Sequence, residues 1–344
     1  MYNLSESIKY KKNSMEDILN LPKVSFIVIT HNFTKFIWGC LESIKNQTYK
    51  NFEIIAVDDC SKDDTAEKIS EFKKFNPDIS CTIIKNESNK GQLASFLKGL
   101  QQASGQFICA IDGDDLLFPE YCAMHIEAHL KTSAALTTCL QADIDENNII
   151  HTLSSIESPG KRAQTFEIEN KSYEEFQNYR HAEGFDKKGC SVRLLDNDKY
   201  SFASWHWGPA SSAMMRKSVC DMLLLIENTR SLKITADKFI FSFCHLIGSS
   251  AVIDRVLYAY RRHSSNYSQA NPVMGSKKYL KERTQNSYFR NNKNIRAQMF
   301  KFIFENKSYF REKINKTNLI ILYKRIIFSF DKNFFKGLFK SMFI

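Results

Sequence analysis

The chain has 344 residues, of which 43% are apolar and 25% charged, with only 12 glycines and 6 prolines. That length fits one large domain with an appendage, or two domains, and the composition excludes collagen, low-complexity linker and general disorder. The formal charge of +10 is uneven: residues 271–344 hold 17 Lys and Arg against 4 Asp and Glu, while residues 1–270 carry a small acidic surplus, so the basic tail speaks of a polyanionic partner rather than of the fold.

Residues 1–20 contain no apolar h-region. They read as a leader without a secretory signal, ahead of a domain expected over 21–268. Val24–Thr30 (VSFIVIT) is β-branched and nearly all apolar, the pattern of a strand buried on both faces. A helix follows with Ile37, Cys40, Leu41 and Ile44 on one face. Phe52–Val57 is a second strand, broken by Asp58-Asp59-Cys60-Ser61. Asp63 and Asp64 stand at N-cap positions of a helix carrying Ala66, Ile69, Phe72 and Phe75. Cys81–Ile84 is a third strand. After the turn Asn86–Gly91 comes a helix with Leu93, Phe96, Leu97 and Leu100, stopped by Gly105. Phe107–Ile111 is a fourth strand, running into Asp112-Gly113-Asp114-Asp115. Strand and helix thus alternate three times before a final strand. This predicts a mostly parallel sheet flanked by helices, with ligands outside the carboxyl ends of the strands.

Further along, 120–150 reads as helix then strand, and 155–204 as loops and short helices draped over the site. A helix spans 234–246 and a strand Val252–Tyr260, followed by Arg261-Arg262-His263. The nine cysteines are scattered with no CxxC pair, which reads as reduced thiols in a cytosolic protein. No uninterrupted apolar run approaches bilayer length.

Two acidic clusters stand at predicted strand ends. Asp58-Asp59 could accept from a base N–H or a sugar hydroxyl, but taken alone it reads as solvated loop carboxylates that cap the next helix. The Asp112 cluster places three carboxylates in four residues, unfavourable without a cation. Two such oxygens plus a diphosphate would suit Mg²⁺ or Mn²⁺. An aspartyl-phosphate phosphatase is excluded, because its DxD follows the first strand and position 116 here is Leu. A receiver domain needs paired acids after strand one, where this chain has Thr30-His31-Asn32.

Taken together, PKVSFIVITHN, VDDCSKDDT, NKGQLASFLKG and GQFICAIDGDDLL, in that order, resemble the family 2 glycosyltransferases of the GT-A fold. The similarity is close over about 22–120 and extends more weakly through TADKFIFSF and YRRHSSN. The resemblance implies a Rossmann-like α/β fold, a nucleotide-sugar donor (a UDP-sugar) and inversion at the anomeric carbon. It implies that Thr30 and Asp58 contact the uracil end of the donor. Asp112 and Asp114 stand at the DxD that touches ribose and divalent metal, and His263 matches a histidine completing the metal site. Asp237 matches the catalytic base; read locally it is an ordinary carboxylate at a helix N-terminus. The chain departs from the family at Phe96, where Arg is usual, and at Ala236, where Glu usually precedes the base. It lacks the QxxRW motif of processive synthases.

Trp205, His206 and Trp207 lie where this fold builds its acceptor side, and read either as a sugar-stacking surface or as core. The extension 269–344 ends in Ile326, Phe330, Phe334, Leu338 and Met342 at four-residue spacing, with Lys332, Lys336 and Lys340 on another face. That suits an amphipathic helix on an anionic membrane surface or one packed on the body. Nucleic acid would leave the apolar row unexplained. The expected partners are therefore a nucleotide-sugar, a glycan or lipid-linked acceptor and the inner face of the cell membrane. Two alternatives stand beside this: a non-catalytic sugar-nucleotide scaffold, and a sugar-phosphate nucleotidyltransferase, which would need a Gly-rich basic loop that THNFTKF does not supply.

Overall fold

The computed structural model describes residues 21–155, 164–176, 191–196, 206–227, 236–264, 266, 297–313, 320 and 322–324. Strands β1 (Val24–Thr30), β2 (Phe52–Asp58), β3 (Cys81–Lys85) and β4 (Phe107–Asp112) alternate with helices α1 (Ile37–Lys45), α2 (Thr65–Phe75) and α3 (Gln92–Gln102). The strands lie in the order β3-β2-β1-β4, all parallel. Because β1 is buried at all seven positions, its two faces serve two cores. Phe26 and Val28 pack with α1 and α2, while Ile27 and Ile29 pack with α3, as the two-residue period of a strand requires.

The second half comprises β5 (Leu116–Leu117), α4 (Tyr121–Thr132), β6 (Leu136–Ile144), β7 (Ile149–Ser155), β8 (Gln164–Ser172), β9 (Val192–Leu195), a 3₁₀ turn (Ala210–Ser212), β10 (Ala213–Arg216), α5 (Lys217–Cys220), α6 (Ala236–Gly248) and β11 (Ser250–Arg261). The sheet continues β4-β10-β6-β11-β5. Here β6 and β11 are parallel, and β10 runs antiparallel to both its neighbours. The fold is α/β, with parallel ladders through the sheet centre and antiparallel additions in its second half.

The parallel register aligns the carboxyl ends. Thr30 stands opposite Asp58, Asp58 opposite Lys85, and Ile29 opposite Asp112. Both acidic clusters therefore meet at one edge of the sheet.

Several expectations are corrected. The stretch 155–204 is not only loops and short helices: β8 pairs with β7, and β9 pairs with β11. Asp64 occupies the N-cap of α2 but makes no side-chain cap. Asp63 does the capping, accepting from the backbone N–H of Thr65 and of Thr34. Phe75 continues the helical spacing yet is 70% exposed, at the last position of α2. The helix α3 ends at Gln102, before Gly105. Gly105 instead lets the chain pass β1: a Cβ there would lie 2.7 Å from the Lys23 carbonyl oxygen.

Within the basic extension, residues 297–305 are helical and α7 spans Lys307–Lys313. Met299, Phe302, Ile303, Phe310 and Leu322 join the same core as α6. Phe302 meets Phe243 edge-on at 5.7 Å. The apolar row from Ile326 to Met342 lies outside the described residues, as does the leader 1–20. Among the described residues, no helix is long and apolar enough to cross a membrane.

Candidate active site

At the nucleoside corner, β1 and β2 end side by side. Asp58 is fully buried and Thr30 nearly so. One carboxylate oxygen of Asp58 accepts from the Ser61 N–H at 3.1 Å and from the Ser61 hydroxyl. Its other oxygen, Oδ2, and the Thr30 hydroxyl are buried without a hydrogen-bond partner. Buried polar atoms are nearly always paired, so two orphans at adjacent strand ends mark a place for a ligand. Asp59 differs. Its Oδ1 accepts from Asn86 Nδ2 and Lys90 N, both at 2.8 Å, and its Oδ2 from Gly91 N at 2.7 Å. Asp59 therefore holds the turn that opens α3, while Asp58 keeps one buried oxygen without a partner. Side by side in sequence, the two carboxylates have separate tasks.

The acid loop leaves β4. Oδ1 of Asp112 accepts from Gln92 Nε2 at 2.9 Å, and the Asp112 N–H donates to Ser211 Oγ at 3.0 Å. Asp114, 5% exposed, has its Oδ2 2.8 Å from His263 Nε2 and 3.3 Å from Asn266 Nδ2. Asp115 is fully buried and accepts from the Arg261 N–H at 2.9 Å. The Arg261 side chain closes the loop from behind. Its Nε donates to the Asp114 carbonyl at 2.6 Å, its Nη1 to the Asp145 carbonyl at 2.8 Å, and its guanidinium covers Phe36 at 4.8 Å. The His263 ring lies against the same Phe36 at 4.8 Å and against Phe33 at 5.7 Å. The last residues of β11 thus set both the loop and its histidine.

Asp237 lies in the first turn of α6, and its Oδ1 accepts from the Lys238 N–H at 2.7 Å. Burial pushes its carboxyl above the usual range, against the pull of that bond and the Lys238 charge. Burial, then the charges of Asp114 and Asp237, push Asp112 up to about 8. Asp115 is driven well above the usual range by burial, then by Asp114 and Asp112. The fold therefore brings the first turn of α6 within electrostatic reach of the acid loop, from 125 residues away in sequence. Carboxylates crowded in this way call for protons or a cation. A carboxyl with a raised pKa at such a site is suited to take a proton.

The residues fit a divalent metal that draws most of its ligands from elsewhere. Asp114 supplies a carboxylate oxygen and His263 an imidazole nitrogen at one point, donors that Mn²⁺ or Mg²⁺ accept. Among the described residues, no group of three or more His, Cys, Asp and Glu side chains is arranged to hold a metal. A diphosphate would complete the set. The third expected ligand, Asp112, turns one oxygen to Gln92 instead.

On the acceptor side, of the two readings left open for Trp207, the structure shows the core one. Trp207 is 4% exposed, donates from Nε1 to Ser250 Oγ at 2.9 Å, and packs edge-on against His245 at 5.4 Å. A ring so buried offers no face to a sugar. His206 is half-buried against Trp207, and burial lowers its ring pKa. Trp205 lies outside the described residues. The two family departures are both core positions here. Phe96 and Ala236 are fully buried, where Arg or Glu would lack solvent.

Sequence reasoning did not single out Gln92, Ser211, Arg261 or Asn266. Arg261 and Asn266 stood inside the quoted YRRHSSN segment. Gln92 stood inside the quoted NKGQLASFLKG segment, at the start of a predicted helix.

Comparison with known proteins places these observations. Residues 25–194 match the profile described as Glycosyl transferase family 2. The chain is 30% identical over 261 residues to the protein named "Putative glycosyltransferase EpsH" of Bacillus subtilis (strain 168), covering 73% of this chain and 64% of that one. It is 32% identical over 136 residues to the UDP-Glc:alpha-D-GlcNAc-diphosphoundecaprenol beta-1,3-glucosyltransferase WfgD of Escherichia coli, covering 40% of this chain and 51% of that one. The chain thus spans about half to two thirds of the length of these relatives. S. aureus TarS 1–349, solved with UDP-GlcNAc, has the same fold, with a TM-score of 0.51 at 14% identity over 89% of this chain and 81% of that one.

Proposed function

We propose, from the premise that residues 25–194 match the family 2 glycosyltransferase profile, that the protein is a metal-dependent, inverting glycosyltransferase. It moves a sugar from a UDP-sugar to a hydroxyl of a glycan or lipid-linked acceptor, working at the inner face of the cell membrane through its basic tail. The observation that carries this reading is the meeting of Asp112, Asp114 and Asp237 at the strand ends, with His263 on Asp114, beside the unpartnered oxygens of Asp58 and Thr30. WfgD, by its name, uses UDP-Glc and a diphosphoundecaprenol acceptor, which supports that donor class and that acceptor class.

In this reading, Thr30 and Asp58 bind the base: the carboxylate accepts an imide N–H, for which its second oxygen has no other partner. Asp112 faces the ribose. Asp114 and His263 would hold a divalent metal, which when bound offsets negative charge on the diphosphate. Asp237 takes the proton of the acceptor hydroxyl. The acceptor oxygen bonds to the anomeric carbon as the bond from that carbon to the diphosphate oxygen breaks, and UDP leaves with the electron pair. Attack from the face opposite the leaving group inverts the centre.

The test is a thermal-shift screen against nucleotide-sugars with and without Mn²⁺, because a ligand of the folded state raises its apparent stability. One UDP-sugar should raise Tm only with metal, and the shift should vanish in D114A. D237N should keep that shift while turnover falls at least about 10³-fold, on the scale of general-base loss. Equal loss of binding and turnover in D237N would remove the base assignment. A folded protein that responds to no nucleotide would instead be a scaffold, and an absence of slow donor hydrolysis would agree.

A further inference from the structure

Asp112 is fixed at two points. Its backbone N–H is tied to Ser211 Oγ, on the β10 side of β4, and its Oδ1 to the amide of Gln92, on α3. The charges facing that carboxylate are those of Asp114 and Asp237, both of its own sign. Left to them, the side chain would turn away from its neighbours. Gln92 is the counterweight, and it is itself held firmly. It is the first residue of α3, preceded by Gly91 at φ 86°. Both carboxylate oxygens of Asp59 clamp the Lys90 and Gly91 N–H groups just before it. The Gly91 carbonyl then takes the Ser95 N–H at 3.1 Å to start the helix. Oδ2 of Asp112 has no donor among the described residues.

That second oxygen sits between two parts of the site. On one side is the nucleoside corner, with Thr30 one strand over, Asp58 two strands over and Ile29 opposite Asp112. On the other is the Asp114–His263 pair, suited to a diphosphate through a metal. The group that joins a base to a diphosphate is the ribose.

We propose that Gln92 is a positioning residue of the donor site: it holds one oxygen of Asp112 so that the other accepts a ribose hydroxyl, and thereby sets the preference for UDP over the analogue that lacks that hydroxyl. This deepens the donor reading above and rests on it. Asp59 takes part at one remove, because it fixes the turn from which Gln92 reaches out. The same clamp couples the two strand-end acid pairs, whose first member binds and whose second builds in the β2 loop.

The experiment measures Kd for UDP, 2′-deoxy-UDP and 3′-deoxy-UDP with Mn²⁺ by calorimetry, in the wild type and in Q92M, Q92L and Q92E. A site built around a hydroxyl rejects the analogue that lacks it. The wild type should prefer UDP over one deoxy analogue by about tenfold or more. In Q92M and Q92L that ratio should fall to within about threefold, with UDP itself bound about tenfold more weakly. Q92E sets acceptor against acceptor and should bind UDP most weakly of the three. Each variant's Tm and circular dichroism identify folded protein, and Q92M, of similar length and flexible, serves if Q92L does not fold. A merely structural Gln92 would shift Tm and leave the ratio alone. An unchanged ratio in folded Q92M, or a wild type indifferent to both hydroxyls while binding UDP, overturns the inference and leaves the donor reading standing. A folded wild type that binds no uridine nucleotide overturns both.

Discussion

Asp58 illustrates at the residue scale how a site costs stability. A buried carboxylate oxygen with no partner is unfavourable, yet Oδ2 of Asp58 is held so, beside the equally unpartnered Thr30 hydroxyl. D58N keeps the oxygen that Ser61 bonds and removes the charge. It should leave Tm unchanged or raise it by a few degrees, while weakening UDP binding by at least about tenfold, the worth of one charge-assisted hydrogen bond. Thermal melts and calorimetry on the same preparation check both halves, and a fall in Tm equal to that of a core mutant would make Asp58 structural. The carboxylates of this site were legible in the sequence because acidic residues at the ends of apolar strands have no packing reason to be there. Trp207 was not, because a tryptophan beside a glycine reads the same whether its ring meets a sugar or, as here, Phe241 and His245. Gln92 was not, because an amide's role depends on which carboxylate it meets, and Asp112 is 20 residues on.

Elements are placed here by close approach as much as by apolar burial. The helix α3 lies so near β1 that a Cβ on Gly99 would come 2.4 Å from Ile27 Cγ2 and 3.2 Å from Val57 Cγ2. Alanine is the better helix former by about 1 kcal/mol, but overpacking a full core costs about 1–3 kcal/mol. G99A should therefore be net destabilising, by about 1 kcal/mol in urea unfolding; a stabilised G99A would mean that the helix shifts freely on the sheet. At the opposite end of the strands from the acid loop, Glu53 joins β1, β2 and the loop before β4. It accepts from Lys23 Nζ, Ser25 Oγ and the Ser104 N–H and hydroxyl. Burial alone would raise its pKa, but these bonds hold it at about 2, below its ordinary 4.5. A depressed carboxylate stabilises the fold above its unfolded pKa and loses that contribution as pH falls. The Glu53 share should thus be intact above pH 4.5 and drain away between 4.5 and 2. E53Q should be less stable than wild type at pH 6 and show a flatter acid limb; parallel limbs would exclude Glu53 as their source. The strands and helices through β4 were legible because the strands are short apolar runs buried on both faces and the helices carry a three-to-four-residue apolar period. The strand β8 (QTFEIENKS) is mostly polar and β9 (VRLL) is only four residues long, so neither carries a run long enough to read, and both join the sheet by backbone pairing, which leaves no mark on side-chain pattern.

On the scale of the whole molecule, the basic extension contributes side chains to the core. Met299, Phe302, Ile303, Phe310 and Leu322 are buried with α6, the helix that carries Asp237. Burying five such side chains, at about 1.5–3 kcal/mol each, contributes up to about 7–15 kcal/mol, comparable with the whole stability of a typical domain. Removing 297–344 should therefore give insoluble or molten protein, and the extension is inseparable from the fold of the base. A cut after Lys324 keeps all five. It removes Arg325, Lys332, Lys336 and Lys340 together with the apolar row from Ile326 to Met342. Each basic side chain near an anionic bilayer is worth about 1 kcal/mol, so the shortened chain should bind vesicles containing phosphatidylglycerol at least about tenfold more weakly, with the difference shrinking in high salt. Its Tm, and its transfer to a water-soluble acceptor, should match the full chain. Transfer to an acceptor embedded in the same vesicles should fall in step with binding, because the tail's contribution is to hold enzyme and acceptor in one plane. If vesicle binding is unchanged, the last twenty residues have no membrane role, and the lysines at four-residue spacing are the solvated face of a helix packed on the body.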